Sequence, residues 1–314
     1  MDSIVTLTMN PAVDTSTSTA HVFPDSKLRC QAPRRDPGGG GINVARAIRK
    51  LGGDSLSIYP AGGPTGQLLH DLLREEHVRQ DALPVKAWTR ENLYVHEDSS
   101  GHHYRFIMPG AALEESEWRH CLKRISQLPK KTRYLVASGS LPSGVPEDFF
   151  AQIAKLAKQQ GIHFVLDTMQ PALGRALKES VYLAKPSMDE LSELTGLELR
   201  NEWDQAAAAQ KLVNTGQCEV VVLSLGPAGA WLATKTGAER FWAPSVRPKS
   251  RVGAGDSMLA AIILVLSHGI DIQTAVRFGV AAGSAATLNP GTQLCRREDV
   301  ERLFGGAVPG LPAQ

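Results

Sequence analysis

Apolar positions follow two rhythms along the chain. Residues 3–9 (SIVTLTM), 55–60 (SLSIYP), 133–138 (RYLVAS), 162–166 (IHFVL) and 219–225 (EVVVLSL) form short, nearly continuous apolar runs. Runs of that length predict strands covered on both faces. Between them the period lengthens. In PEDFFAQIAKLAKQQG, Phe149, Ile153 and Leu156 fall at i, i+4 and i+7, behind Pro146 and ahead of Gly161. One apolar stripe with a start and a stop signal predicts a helix. Helical spacing recurs near 42–51, 64–76, 187–195, 203–214, 256–267 and 272–287. Strands alternating with helices predict an α/β chain, a mostly parallel sheet covered by helices.

Two stretches break the rhythm. Residues 15–35 and 86–108 hold short segments in which apolar and polar residues alternate, namely KLRCQA, NLYVHEDSSG and HHYRFIM. Alternation means one buried face and one free face, which predicts an antiparallel accessory sheet. Both stretches interrupt the α/β series, so they are assigned together to a small lid. Residues 1–14, 36–85 and 109–314 then make up the α/β body. A sheet with an open edge and one apolar face needs cover, so dimerisation through the lid is expected. The tail GGAVPGLPAQ is expected to fray.

Composition narrows the class. The chain has 314 residues, 42% of them apolar, enough for a sizeable core. Lys plus Arg is 34 and Asp plus Glu 32, for a net charge of +2. That balance speaks against nucleic-acid or membrane-surface binding by bulk charge, so any basic site is local. Cys30, Cys121, Cys218 and Cys295 lie far apart, without a CxxC pair or a histidine at metal spacing. They read as reduced thiols of a cytoplasmic protein. MDSIVTLTMN lacks the features of a secretory leader, and the longest apolar run, Met258–Leu266, is too short to span a bilayer. A soluble chain is expected.

Three stretches carry candidate chemistry. In SRVGAGDSMLAAIILVL, Gly253 and Gly255 permit a tight turn whose amides converge at the start of a helix, and Asp256 follows at once. Such amides and the positive helix end suit the oxygens of a transferring phosphoryl group. A carboxylate there makes sense as a base that takes a proton from an attacking hydroxyl. Aspartate is equally a favoured helix cap, and this stretch alone leaves both readings open. In DPGGGGINVARAIRKLG, four glycines, Gly38 to Gly41, run into a helix bearing Asn43. Ligand can approach a glycine backbone closely, and Asn43 can both donate to and accept from a sugar hydroxyl. The run is neither a Walker A loop nor a dinucleotide fingerprint, and a plain flexible loop is its bland alternative. Asp14 lies just past the first predicted strand, where open α/β sheets bind ligands, though a surface turn would place an aspartate there too.

Taken together, PGGGGINVARA and VGAGDSMLAA resemble the paired signatures of the ribokinase-like (PfkB) sugar kinases. Within that family, LTMNPAVD, KLRC, PAGGPTG, WTRENLYVH, YRFIMPGAAL, SGSLPSGV, VVVLSLGPAGA and RFGVAAGSAATLNPGTQLC are similar to the second bacterial type of ATP-dependent 6-phosphofructokinases, from residue 4 to about 295. The resemblance implies a three-layer α/β/α sandwich with a mostly parallel central sheet and a small β lid. It implies Asp256 as the catalytic base, Gly253, Ala254 and Gly255 as the anion cradle, and Asp14, Gly39, Gly40 and Asn43 on the sugar hydroxyls. Lys27 and Arg29, which alternate with Leu28 on a predicted lid strand, would join Arg90 and Ser138 in a phosphate clamp, some reaching across the dimer. Without the motifs, the basic residues would read as a solvated strand.

For ATP, the resemblance implies Lys185, Ser187, Ser224, Gly226 and Gly229, with Glu190 helping to organise Mg²⁺. Ser187 stands where the family has asparagine, which shortens the reach of that side chain. Arg251 stands where threonine is usual. A K⁺ site is implied near Ser250, Val252, Ala286, Asn289 and Gly291. The implied reaction is ATP-dependent phosphorylation of fructose 6-phosphate at its C1 hydroxyl. Fructose 1-phosphate or tagatose 6-phosphate would be served by the same base and cradle. A sensor that binds ATP or sugar phosphate without turnover is the alternative from another class; Ser187 leans towards it and Asp256 against it.

Overall fold

The computed structural model describes residues 3–307, so most of the tail for which fraying is expected lies outside the described residues. The first half of the chain forms β1 (Ile4–Leu7), β2 (Ala12–Thr19), β3 (Arg34–Gly38), α1 (Gly40–Lys50), β4 (Leu56–Ala61), α2 (Gly63–Glu75), β5 (Arg79–Pro84), β6 (Arg90–Glu97) and β7 (His103–Phe106). It continues through α3 (Glu115–Ser126), β8 (Tyr134–Ser138), α4 (Phe149–Gln160), β9 (His163–Asp167), α5 (Ala172–Leu177) and β10 (Val181–Ala184). The last part forms α6 (Met188–Thr195), α7 (Glu202–Asn214), β11 (Cys218–Ser224), β12 (Ala230–Thr234), β13 (Gly237–Phe241), α8 (Ala254–Ser267), α9 (Ile272–Thr287) and α10 (Arg297–Phe304).

The strands predicted from continuous apolar runs all lie in one nine-stranded sheet, in the order β13-β12-β11-β10-β9-β8-β1-β4-β5. It is parallel from β11 to β5, and only the pairings of β12 with β11 and with β13 are antiparallel, so β12 alone runs in reverse. Alternate residues of each strand feed opposite layers. From β8, Leu135 and Ala137 pack with Trp118, Phe149 and Ile153 of α3 and α4, whereas Tyr134 and Val136 pack with Leu259, Ile262 and Phe278 of α8 and α9. Helices therefore cover both faces. Ile153 is fully buried, and truncating it to alanine would cost about 2–5 kcal/mol. Gly161 takes the left-handed conformation after α4, the stop the chain predicts, and Ser187 and Glu190 form a reciprocal capping box at the head of α6.

The second sheet has four strands in the order β3-β2-β6-β7. Here the structure corrects two expectations. The sheet is mixed rather than antiparallel, because β2 and β6 pair parallel. Between β3 and β6 the chain passes through β4, α2 and β5 of the body, a long connection that lets β6 run in the same direction as β2. KLRC is also not a strand: Lys27, Leu28 and Arg29 lie in exposed coil. β3 pairs with β2 only as far back as Arg34, and Pro33 has no N–H with which to extend that ladder towards KLRC. The first of the two lid stretches, expected over 15–35, begins earlier and ends later, so Asp14 and residues 36–38 belong to strands of the small sheet. All four cysteines are free, and no helix among the described residues is long and apolar enough to cross a membrane.

Candidate active site

Carboxyl ends of the parallel strands converge on the heads of two helices. Gly253, at φ +73°, turns the chain into α8 with a backbone that non-glycine residues rarely adopt. The first amides of α8 have no partner within the helix, and Asp256 sits in that same turn. Gly39, at φ +108°, makes the corresponding turn into α1, packed over Thr8 and Pro11 beyond β1. One turn into α1, the Asn43 side-chain NH₂ donates to Asp256 Oδ2 at 2.9 Å. The glycine run and the GAGD stretch, 213 residues apart at this bond, therefore meet.

Beneath them lies a charged floor. Lys185, just past β10 and buried, pairs with Asp167 at the end of β9 at 3.0 Å, and its Nζ lies against Gly255. Ser138, the last residue of β8, donates to Asp167 Oδ2 at 3.3 Å and packs under Gly40. Asp256 keeps a partly exposed edge, but burial raises its pKa to about 6 and the negative charge of Asp167 adds to the rise. The Asn43 amide and the Lys185 ammonium oppose that rise without cancelling it. Burial works against the Lys185 ammonium too, yet Asp167, with Asp256 and Glu190 further off, holds its pKa above the ordinary value. A carboxyl that ionises near neutrality beside free helix amides is equipped for proton abstraction from a group meeting an anion.

Towards the small sheet, Asp14 is buried against Gly38 and accepts from Asn92 at 2.7 Å. Burial raises its pKa, against the pull of Asn92, Arg46 and Arg90. Arg90 opens β6 and ties it to two loops where the sheets meet, donating to the carbonyls of Met108 at 2.8 Å and Asn10 at 3.0 Å. Its Nε is enclosed without an acceptor. Met9, Asn10, Trp88, Arg90 and Gly110 line a cleft at this joint.

The expected clamp does not assemble within one chain. Arg90 pairs with Ala12 at one end of β2, whereas Thr19, at the other end, donates to the Arg29 carbonyl. Seven residue steps separate those ends, a span of about 23 Å. Lys27 and Arg29 are exposed there. Ser138 is buried, with its hydroxyl on Asp167 rather than open beside Arg90.

The residues expected at ATP do come together. Ser224 N–H donates to the Pro186 carbonyl at 2.9 Å, joining β11 to the segment that carries Lys185, Ser187 and Glu190. Gly226 and Gly229 shape the short turn between β11 and β12, and the Leu225 N–H closes it on the Gly229 carbonyl at 2.8 Å. The Ser187 N–H takes Glu190 Oε2 at 2.8 Å. Near α9, Ser250 donates to the Gly291 carbonyl at 2.7 Å and the Asn289 N–H to the Ala286 carbonyl at 3.2 Å, while Val252 N–H bonds the Ser250 hydroxyl at 3.2 Å. That cluster offers carbonyl and hydroxyl oxygens. No group of three or more His, Cys, Asp or Glu side chains is arranged to hold a metal ion among the described residues.

Several site residues escaped the sequence reading. Asp167 ends a strand that had been predicted one residue short, and the rule that singled out Asp14 would have found it. Arg46 signals itself as a charge on the apolar face of α1. Asn92 offers no signal in sequence.

A family model described as pfkB family carbohydrate kinase matches residues 3–299. The chain is 46% identical over 305 residues to the ATP-dependent 6-phosphofructokinase isozyme 2 of Escherichia coli, covering 97% of this chain and 98% of that one. The crystal structure of phosphofructokinase-2 from Escherichia coli in complex with potassium matches with a TM-score of 0.93 at 46% identity. The structure of the same enzyme in complex with fructose-6-phosphate matches with a TM-score of 0.92 at 44% identity. Each match covers 97% of this chain and 99% of the other.

Proposed function

Because the chain belongs to the pfkB family of carbohydrate kinases, we propose that it transfers the γ-phosphoryl group of ATP to the C1 hydroxyl of fructose 6-phosphate. The observation that carries this reading is the convergence at Asp256: a half-buried carboxyl, bonded to Asn43, in the first turn of a glycine-initiated helix. Asp256 takes the C1 hydroxyl proton as the C1 oxygen bonds to phosphorus. The bond from phosphorus to the β–γ bridging oxygen breaks, and ADP leaves. The amides of Gly253, Ala254 and Gly255 face the charge that develops on the phosphoryl oxygens.

Asp14 and the glycines at 39 and 40 hold sugar hydroxyls in this reading. Both ends of the Asn43 amide already meet protein groups, so one N–H of Asn43 is left for the sugar. Arg90 receives the 6-phosphate, which would give its enclosed Nε an acceptor. Lys27 and Arg29 sit too far away in the same chain, which favours their supply by a second copy docked on the lid. Phe106, Ile107 and Met108 are exposed at the open edge of that sheet and suit such a dimer.

ATP lies along Lys185, Ser187, Ser224 and the turn from Gly226 to Gly229. Glu190 has one carboxylate oxygen committed to the Ser187 N–H, and the other fits a magnesium ion or its water. Bound there, Mg²⁺ would neutralise phosphate charge. The oxygens around Ser250, Ala286 and Gly291 fit K⁺, a cation suited to carbonyl ligands. A cytoplasmic location follows from a glycolytic reaction.

The test is ADP release with Mg²⁺-ATP and, in turn, fructose 6-phosphate, fructose 1-phosphate and tagatose 6-phosphate. The highest kcat/KM should fall to fructose 6-phosphate. ATP binding with no sugar-dependent ADP release would leave a sensor in place of a kinase.

A further inference from the structure

Arg46 heads the described residues as the largest fully buried side chain, at 1% exposure. A buried guanidinium persists only with its donors satisfied, and here they are. Nε and Nη2 fork onto Glu76 at 2.8 and 2.6 Å, and Nη1 donates to the Pro37 carbonyl at 2.8 Å. Nη2 also lies 3.6 Å from Asp36, whose other oxygen accepts from Thr292 at 2.7 Å. Glu76 suffices to neutralise the charge. The contact it does not explain is Nη1 to Asn43 Oδ1 at 3.2 Å.

We propose that Arg46 is a positioning residue for the base: by holding the Asn43 carbonyl oxygen, it leaves the Asn43 NH₂ facing the Asp256 carboxylate. A guanidinium only donates and a carboxylate only accepts, so the two partners together specify one orientation of the amide between them. Asn43 and Arg46 stand three residues apart on α1, on the same face of the helix. With Arg46 gone, the amide is free to turn its carbonyl towards Asp256. A carboxyl facing a carbonyl is satisfied only when protonated, so Asp256 would hold its proton to higher pH. The other charged groups around the base are Asp167 from β9, Lys185 after β10 and Asp14 from β2; those around Arg46 are Asp36 from β3, Glu76 after α2 and Asp14. This inference rests on the reading of Asp256 as the base, but its test does not need turnover.

The carboxyl carbon of Asp256 can be followed by NMR in protein carrying ¹³C-carboxyl aspartate, assigned by its loss in Asp256→Asn. In Arg46→Met its titration midpoint should rise by about one to two pH units, the equivalent of one hydrogen bond to a charged group. Glu76→Gln, which keeps Arg46 in place, should leave it within about 0.3 unit. A midpoint unmoved in Arg46→Met overturns the proposal. So does a fall in Glu76→Gln as large as the rise in Arg46→Met, because that pattern is through-space charge rather than orientation. A further reading needs only the unaltered protein, so it survives misfolding of Arg46→Met. The Asn43 side-chain amide protons should shift with the same midpoint as the Asp256 carboxyl, and protons insensitive to that titration refute the orientation. A chain that phosphorylates no sugar would sink the kinase reading and leave these titrations to decide the Arg46 contact on their own.

Discussion

Asp256→Asn keeps the shape of the side chain and lets its amide oxygen go on accepting from Asn43, but it removes the charge. A positioned base contributes about 10²–10⁴-fold, so kcat should drop by at least a hundredfold while the sugar-phosphate KM changes little. Stability should move the other way. The carboxyl ionises near its ordinary 3.8 when unfolded and near 6 in the fold, because burial and Asp167 disfavour its charge. The native state therefore holds that proton to higher pH than the unfolded state. The cost is absent below about pH 4, builds as pH rises to about 6, and is complete above. The ceiling is about 3 kcal/mol. The partly exposed edge of the residue lowers this to about 1–3 kcal/mol. For a chain of this size that raises Tm by about 2–5 °C at pH 8 and by nothing near pH 4. Calorimetry at the two pH values, beside ADP release at saturating substrates, measures both halves. Turnover within tenfold of the parent refutes the base. A variant that melts lower than the parent at pH 8 refutes the claim that the fold holds this charge at a cost.

In the parent, kcat/KM should fall as pH drops below about 6, because the base is then protonated, and a profile flat down to pH 5 would detach Asp256 from the chemistry. Arg90→Ala removes a charged donor set and should raise the fructose 6-phosphate KM roughly ten- to a hundredfold, since a hydrogen bond to a charged group contributes about 1.5–3 kcal/mol; saturation curves with unchanged KM take Arg90 out of the clamp. Ser187→Ala removes the cap of α6 and should cost about 1 kcal/mol in denaturant melts, whereas Ser187→Asn keeps a capping side chain and should lower the ATP KM by restoring reach. An ATP KM indifferent to both changes places the nucleotide elsewhere. Replacing potassium with tetramethylammonium at constant ionic strength should slow turnover, and equal rates would refute the cation site.

The parallel sheet was legible because its strands, buried on both faces, leave short apolar runs bounded by turn residues, whereas the longer apolar run Met258–Leu266 belongs to the buried helix α8. What the runs do not carry is length and partner. β10 has only four residues, and α3 shows just Trp118, Cys121 and Ile125 as its buried face in an otherwise charged segment, so neither stood out. KLRC failed for a related reason. Alternation states that a segment would have two unlike faces if extended, but a strand also needs a ladder to join, and the one beside β2 stops at Arg34, next to Pro33, which has no N–H to carry it back towards KLRC. The direction of β6 was equally invisible, since it is decided by the route of the connection rather than by any residue in the strand.

The site divides along the same line. The glycine turn and Asp256 are neighbours in sequence, and their backbone logic can be read from a handful of residues. Whether that aspartate caps a helix or acts as a base cannot be read there, because the difference is made by groups from elsewhere. Burial among these segments raises its pKa, Asp167 adds to the rise from the end of β9, Lys185 moderates it from beyond β10, and Asn43 fixes its orientation from 213 residues away. Thr292, which steadies the Asp36 side of the same network, bonds across 256 residues. A capping aspartate needs only its own helix and ionises below its ordinary pH, as Asp271 does at the head of α9, where the Thr274 N–H holds its carboxylate. The raised carboxyl at position 256 is a property of four segments meeting. The sharpest evidence for chemistry at this position is therefore that its neighbours make an ordinary helix cap a poor account of it.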